Sequence, residues 1–235
     1  GVRCIHTHPG GNSTLSGVDL QSLQRLKLDA MAAIGVDAEG RAVSVSAAFL
    51  DEPDSEGQYK LLLTKPLGVG IITTAAKAGL AEKVLTERIY RQMAALNRVA
   101  RDVMVKYPVH SCTDVTGFAL LGHSFEMAQG SGVTVHIQTE NVPFHKEAWA
   151  FADMGLVPSG AYRNRDYAEA GVRLTREIAR PMQDILYDPQ TSGGLLIALP
   201  EKDAAQCLDE LRQSVPQAAA VGYVTEKMDA AIYLE

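Results

Sequence analysis

The chain is poor in several features that would place it among secreted, membrane-spanning or nucleic-acid-binding proteins. Its three cysteines, Cys4, Cys112 and Cys207, are odd in number and far apart. That argues against a disulfide framework and suits a reducing cytosol. No apolar run approaches the ~20 residues needed to span a bilayer, and no signal-peptide pattern opens the sequence. A formal charge of −6 leaves no basic footprint, so nucleic acid is not an expected partner. There is no internal repeat, no low-complexity tract and no Walker-type Gly-x-x-x-x-Gly-Lys-Ser/Thr for nucleotide phosphates. The expectation is a cytoplasmic protein of 235 residues, long enough for one large domain or two small ones with a real core.

What the sequence does carry centres on residues 110–132. After Thr113 and Asp114 the apolar residues Val115, Phe118, Leu121, Phe125 and Ala128 recur at steps of three and four, which predicts a helix beginning near Asp114. Gly130 and Gly132 provide its stop. An acid at a helix start can cap the free amides there, or help hold a hard cation such as Mg²⁺ beside phosphate.

The flanking pattern is that of an α/β domain. Tyr59 to Thr64 reads as a strand, Lys65 to Gly70 as a turn and Ile71 to Lys77 as a short helix. Lys65 is expected to be a solvated loop charge rather than a phosphate contact. Residues 80–105 predict one long helix with Leu85, Ile89, Met93, Leu96, Ala100 and Val103 on one face and Asn97 as a locally bonded polar residue within it. Val133 to Ile137 alternates as a strand, which predicts a solvent-facing or satisfied His136. His123 is expected at the edge of the core. Residues 143–166, rich in Pro, Gly, Tyr, Arg and Asn, suggest a long surface connection from which Arg163 and Asn164 could reach a ligand. In Asp188-Pro-Gln-Thr-Ser-Gly-Gly194, Pro189 keeps Asp188 extended, and the glycines permit a turn that aims Thr191 and Ser192 into a cleft. A strand at 195–199, a helix at 201–213 and strands near 219–224 and 230–234 complete the pattern.

Three stretches carry a family resemblance: Leu63-Thr-Lys-Pro-Leu-Gly-Val-Gly-Ile, Cys112-Thr-Asp-Val-Thr-Gly-Phe with Leu-Leu-Gly-His, and Asp188-Pro-Gln-Thr-Ser-Gly-Gly-Leu-Leu. Together with Met154-Gly-Leu-Val-Pro-Ser-Gly-Ala-Tyr-Arg-Asn, and in this order, they resemble the carboxy-terminal half of selenophosphate synthetases (selenide, water dikinases) over residues 58–235. The resemblance implies an aminoimidazole ribonucleotide synthetase-like α/β (α+β) domain, a mixed sheet packed by helices. It also implies an enzyme that uses ATP, Mg²⁺ and selenide to make selenophosphate, AMP and phosphate. By position in the motif, Asp114 is then a Mg²⁺ ligand. The catalytic Cys, its neighbouring Lys, further metal-binding Asp residues and the Gly-rich ATP segment of that family belong to its amino-terminal half and have no counterpart in residues 1–57. The chain is therefore expected to be inactive alone, working as a homodimer or with a complementing amino-terminal half. A related synthetase acting on purine or thiamine precursors is the alternative within the superfamily.

Residues 1–50 carry a different pattern. Val2 to Ile5 is strand-like, His6 and His8 share one face of it, and Asp19 opens a helical spacing of Leu20, Leu23, Leu26 and Met31. His6, His8 and Asp19 could supply three ligands to Zn²⁺, leaving a fourth position for water. With Ser16, this spacing resembles the zinc site of JAMM-type hydrolases, but the Glu that serves those enzymes as base has no counterpart in the five residues before His6. The run Arg-Cys-Ile-His-Thr-His-Pro also resembles part of HflX-type GTPases. The competing reading is structural: Ser16 and Asp19 cap a helix over residues 19–33. Residues 37–50 suggest a hairpin, so that a small strand-helix-hairpin segment precedes the main domain. The charged, breaker-rich stretch 51–57 is the expected junction with the domain at 58–235.

Overall fold

In the computed structural model, residues 59–235 are described in full, and before them the backbones of three strands, β1 (Arg3–Pro9), β2 (Ala30–Val36) and β3 (Ala42–Phe49). Then follow β4 (Tyr59–Leu63), α1 (Val69–Lys77), α2 (Lys83–Ala94), α3 (Arg98–Met104), β5 (Ser111–Asp114), α4 (Ala119–Ser131) and β6 (Val133–Ile137). The chain continues through α5 (Lys146–Asp153), α6 (Ser159–Ala168), β7 (Val172–Leu174), α7 (Arg180–Leu186), β8 (Leu195–Pro200), α8 (Glu201–Ser214), β9 (Ala219–Glu226) and β10 (Ile232–Leu234). Among the described residues the strands form one mixed sheet in the order β1-β2-β3-β5-β8-β4-β9-β6-β10-β7. The β1–β2, β6–β10 and β10–β7 pairs are parallel and the others antiparallel.

Strand β4 shows why the sheet sits where it does. Leu61, Leu62 and Leu63 are all fully buried, and the alternation of a strand sends them to opposite faces. Leu61 and Leu63 join a large core with Val69 and Ile72 of α1, Leu85 and Ile89 of α2, and Leu120 and Leu121 of α4. Leu62 joins a smaller core with Ile197 and Leu199 of β8, Ala100 and Val103 of α3, and Cys207 and Leu211 of α8. Each leucine taken fully out of water contributes roughly 1.5–3 kcal/mol, and a strand apolar on both faces can lie nowhere but between two helical layers. Among the described residues no helix is long and apolar enough to cross a membrane.

Four expectations are corrected here. The single helix over 80–105 is two: α2 ends at Ala94 and α3 begins at Arg98. Its apolar residues divide between the two cores, Leu85 and Ile89 to one and Ala100 and Val103 to the other, so the chain must break where Leu96 lies exposed. The connection at 143–166 contains α5 and α6, whose Ala148, Ala152 and Ala161 pack into the core. The helix expected to begin near Asp114 begins at Ala119, because Ser111–Asp114 is strand β5. It stops as expected at Gly132, which is left-handed with φ 65°. Of the helix expected over 19–33, residues 30–33 belong to β2, paired with β1 on one side and β3 on the other. That two-sided pairing overrides the helical spacing of Met31. Residues 19–29 and the junction 51–57 lie outside the described residues. The antiparallel pairing of β2 with β3 agrees with the expected hairpin.

Candidate active site

The three motif stretches, far apart in sequence, meet at one end of the central strands. Strand β5 lies beside β8 with Asp114 opposite Leu195, and the pairing runs on past both strands. The Val115 amide donates to the Gly194 carbonyl at 2.7 Å, and the Gln190 amide to the Thr116 carbonyl at 2.9 Å. The first motif joins through Thr64, whose amide donates to the Leu195 carbonyl at 3.0 Å while its Oγ1 accepts from the Leu195 amide at 2.8 Å. At the start of α1 the Gly70 amide donates to Asp188 Oδ2 at 2.9 Å, and the Val69 amide to Gln190 Oε1 at 3.3 Å. The 188–190 segment thus supplies the acceptors that the free amides of a helix start require.

Glycines occupy the places where these backbones touch. A Cβ on Gly70 would lie 2.4 Å from Asp188 Oδ1, one on Gly193 1.9 Å from the Val115 carbonyl oxygen, and one on Gly194 2.4 Å from the Lys65 amide nitrogen. In the last motif, therefore, the two glycines provide room. The left-handed turn residue there is Ser192, at φ 52°.

Asp114 ends β5 half-buried. Burial raises its carboxyl above the usual range, and the nearby His123 pulls it back down. His123 is buried, with Nε2 3.1 Å from Thr116 Oγ1 and Nδ1 3.6 Å from Glu126 Oε2. Behind the motif, Asn164 donates through Nδ2 to the carbonyls of Gly117 at 2.9 Å and Tyr187 at 3.2 Å. Asn164 is therefore a buried brace between motifs, while Arg163 is exposed and reaches Ser159 Oγ at 3.3 Å. Asp188 is fully buried, and burial pushes its carboxyl up to about 8 against the pull of Gln190 and the helix amides. The carboxyl is thus mainly uncharged at neutral pH. Its burial gave no sign in the sequence beyond the apolar Ile185 and Leu186 before it.

Lys65 contradicts the expectation of a solvated charge. It is 8% exposed, and its Nζ donates to the carbonyls of Ala95 at 2.6 Å, Ser192 at 2.8 Å and Gln92 at 3.4 Å. Burial lowers its pKa. Asn97 sits at the α2–α3 break and donates to the Gly193 carbonyl at 2.8 Å. Thr191 and Ser192 are exposed. His136 is satisfied, though not solvent-facing: Nδ1 lies 2.9 Å from Glu235 Oε1, Nε2 lies 3.1 Å from Thr225 Oγ1, and the ring stacks between Tyr223 and Tyr233.

Of the residues proposed for zinc, His6 and His8 lie on β1, where the backbone alone is described, and Asp19 lies outside the described residues. Among the described residues no three His, Cys, Asp or Glu side chains are grouped to hold a metal ion. Asp114 therefore stands outside any such group of described side chains.

Fold and site define an α/β domain that gathers the three motif stretches at the end of a mixed sheet, with helices on both faces. The profile of the AIR synthase related protein, C-terminal domain family matches residues 58–235, and the chain belongs to that family. It is 51% identical over 168 residues to the selenide, water dikinase of Pelobacter propionicus, covering 71% of this chain and 48% of that protein. The selenide, water dikinase of Clostridium botulinum strain Eklund 17B is 43% identical over 175 residues, covering 74% and 51%. The chain thus spans about half the length of the curated relatives it matches. The crystal structure of E. coli HypE superposes with a TM-score of 0.53 at 14% identity, covering 96% of this chain and 67% of that one, a likeness of fold. The resemblance drawn from the three motifs is borne out for residues 58–235.

Proposed function

We propose that this chain carries the carboxy-terminal half of a selenide, water dikinase site, which makes selenophosphate from selenide and ATP with Mg²⁺. The observation that supports this most is the joining of the Leu63, Cys112 and Asp188 motifs into one hydrogen-bonded cluster that leaves Asp114 at its edge. The donor set suits the cation: a carboxylate whose pKa is raised by burial gains from a nearby positive charge, and Mg²⁺ prefers such oxygen ligands. When bound, Mg²⁺ offsets the charge of the triphosphate. The chain's own part is positional. Asp114 supplies one ligand, His123 and Thr116 order the turn after it, and the Asp188 segment holds the start of α1 in place.

The remaining groups, a nucleophilic Cys and a Lys among them, are proposed to come from a complementing amino-terminal half, in a second copy or another polypeptide. The test follows selenophosphate by phosphorus NMR after adding ATP, Mg²⁺ and selenide, first to the chain alone and then with the amino-terminal half of a relative. Product in the mixture and none with either part alone is expected. Product from the chain alone, or none from the mixture once the two parts are shown to associate, contradicts the proposal.

A further inference from the structure

In the turn from Thr191 to Gly194 two successive carbonyls are held on one side, while the Gly194 carbonyl accepts from the Val115 amide of the neighbouring strand. The Ser192 carbonyl is drawn inward by Lys65 Nζ at 2.8 Å, and the Gly193 carbonyl by Asn97 Nδ2 at 2.8 Å. In a trans peptide the N–H that follows a carbonyl points the opposite way. The Gly193 and Gly194 amides therefore face away from Lys65 and Asn97. Among the described residues the amides of Thr191, Ser192, Gly193 and Gly194 have no acceptor. The hydroxyl-bearing residues Thr191 and Ser192 are exposed on the same turn, and Ser192 adopts the left-handed conformation at φ 52°. Successive free amides about such a residue form a concavity suited to an anion.

The charges nearby agree. The Lys65 ammonium lies directly behind the turn, and the carboxyl that opens the segment, Asp188, is buried and pushed up to about 8, so it carries little charge at neutral pH to repel an anion. Asp114, opposite Leu195 in the sheet, is the nearby carboxylate that a bound cation would offset.

We propose that the Thr191–Gly194 turn is an oxyanion-binding loop for a phosphate-type group, with Lys65 and Asn97 as positioning residues that hold its carbonyls away from the ligand. The choice of a phosphate-type ligand rests on the function proposed above, so the test omits nucleotide and Mg²⁺ and the two ideas fail separately. The probe is inorganic phosphate, followed by amide NMR shifts in the whole chain with a chelator present. The expected result is saturable binding with the largest shifts at 191–194. Affinity should weaken roughly tenfold or more in the exposed double variant Thr191→Val with Ser192→Ala, as loss of hydrogen bonds to a charged group implies. Asn97→Ala should weaken phosphate binding and speed amide exchange at 192–194, a combination that loss of global stability alone does not give. No saturable binding to the unaltered chain overturns the proposal, as does equal affinity in the Thr191/Ser192 variant.

Discussion

The amide of Gly70 and the carboxyl of Asp188 are joined by a 2.9 Å hydrogen bond across 118 residues of chain. The bond caps α1 and fastens the first motif to the last. Gln190 Nε2 adds a second donor to the same carboxylate oxygen at 2.9 Å, while Asp188 Oδ1 is buried and has no partner. An oxygen in that position favours the protonated acid, in keeping with the raised pKa.

The pH dependence follows. A carboxyl whose folded pKa is raised from 3.8 to about 8 binds its proton more tightly folded than unfolded. Its contribution is fully present below the unfolded value and is lost as pH rises toward about 8. Asp188→Asn mimics the protonated form, so the variant should match the parent in urea midpoint near pH 3 and exceed it by a margin that grows through pH 4–7 and levels off near pH 8. Parallel midpoint curves for the two proteins across that range would contradict the assignment.

Gly70→Ala tests the close approach directly. The added methyl would sit 2.4 Å from Asp188 Oδ1 and 2.5 Å from the Pro189 carbonyl oxygen, and the capping loop would have to move. A loss of about 1–3 kcal/mol is expected from overpacking of this kind, read as a lower thermal midpoint with faster proteolysis at 188–194. Gly79→Ala makes a poor control, since that glycine is left-handed at φ 75°. The helical Ala76→Gly is better, and should cost about 1 kcal/mol by propensity alone.

His136 ties together the outer strands on the face away from the large core. Its ring lies 4.5 Å from Tyr223 and 5.3 Å from Tyr233, nearly parallel to both, and its two nitrogens are bonded. His136→Ala should cost about 2–4 kcal/mol from lost stacking and from the hydrogen bonds to Thr225 and Glu235. His136→Phe should recover part of it. If the two variants unfold at the same denaturant concentration, stacking contributes nothing here.

The thiols of Cys112 and Cys207 are buried, and burial pushes them up to about 12 and about 11. A thiol reacts as thiolate, so burial disfavours reaction at both residues. Iodoacetamide at pH 7 should leave both unmodified in the folded chain and label both in denaturant, as peptide mass mapping would show. Rapid native labelling at either position would mean that the α8 face opens.

How much of this was legible in the sequence depends on how local the signal was. Leu61–Leu63 and Leu195–Leu199 read as strands because unbroken apolar runs between breakers suit a sheet buried on both faces. Gly132 read as a helix stop because a left-handed residue is a local need. The start of α4 was misread because Val115 and Thr116 are claimed by backbone partners at Gly194 and Gln190, more than seventy positions away. Lys65 looked like a loop charge because its three carbonyl acceptors come from 92, 95 and 192. Of the site itself, motif order and the resemblance marked Asp114 and the Thr191–Gly194 turn. The braces Asn164 and Asp188 depend on packing that no single stretch reveals.

The central claim is that Asp114 belongs to a nucleotide-metal site completed by other chain. Isothermal titration of the purified chain with Mg²⁺-ATP, repeated with Asp114→Asn, tests it most directly. The account predicts measurable binding that weakens about tenfold or more without the carboxylate, as loss of a charged metal ligand implies, with the melting temperature of the variant little changed. Binding of equal strength in both proteins would contradict it and move the site away from Asp114.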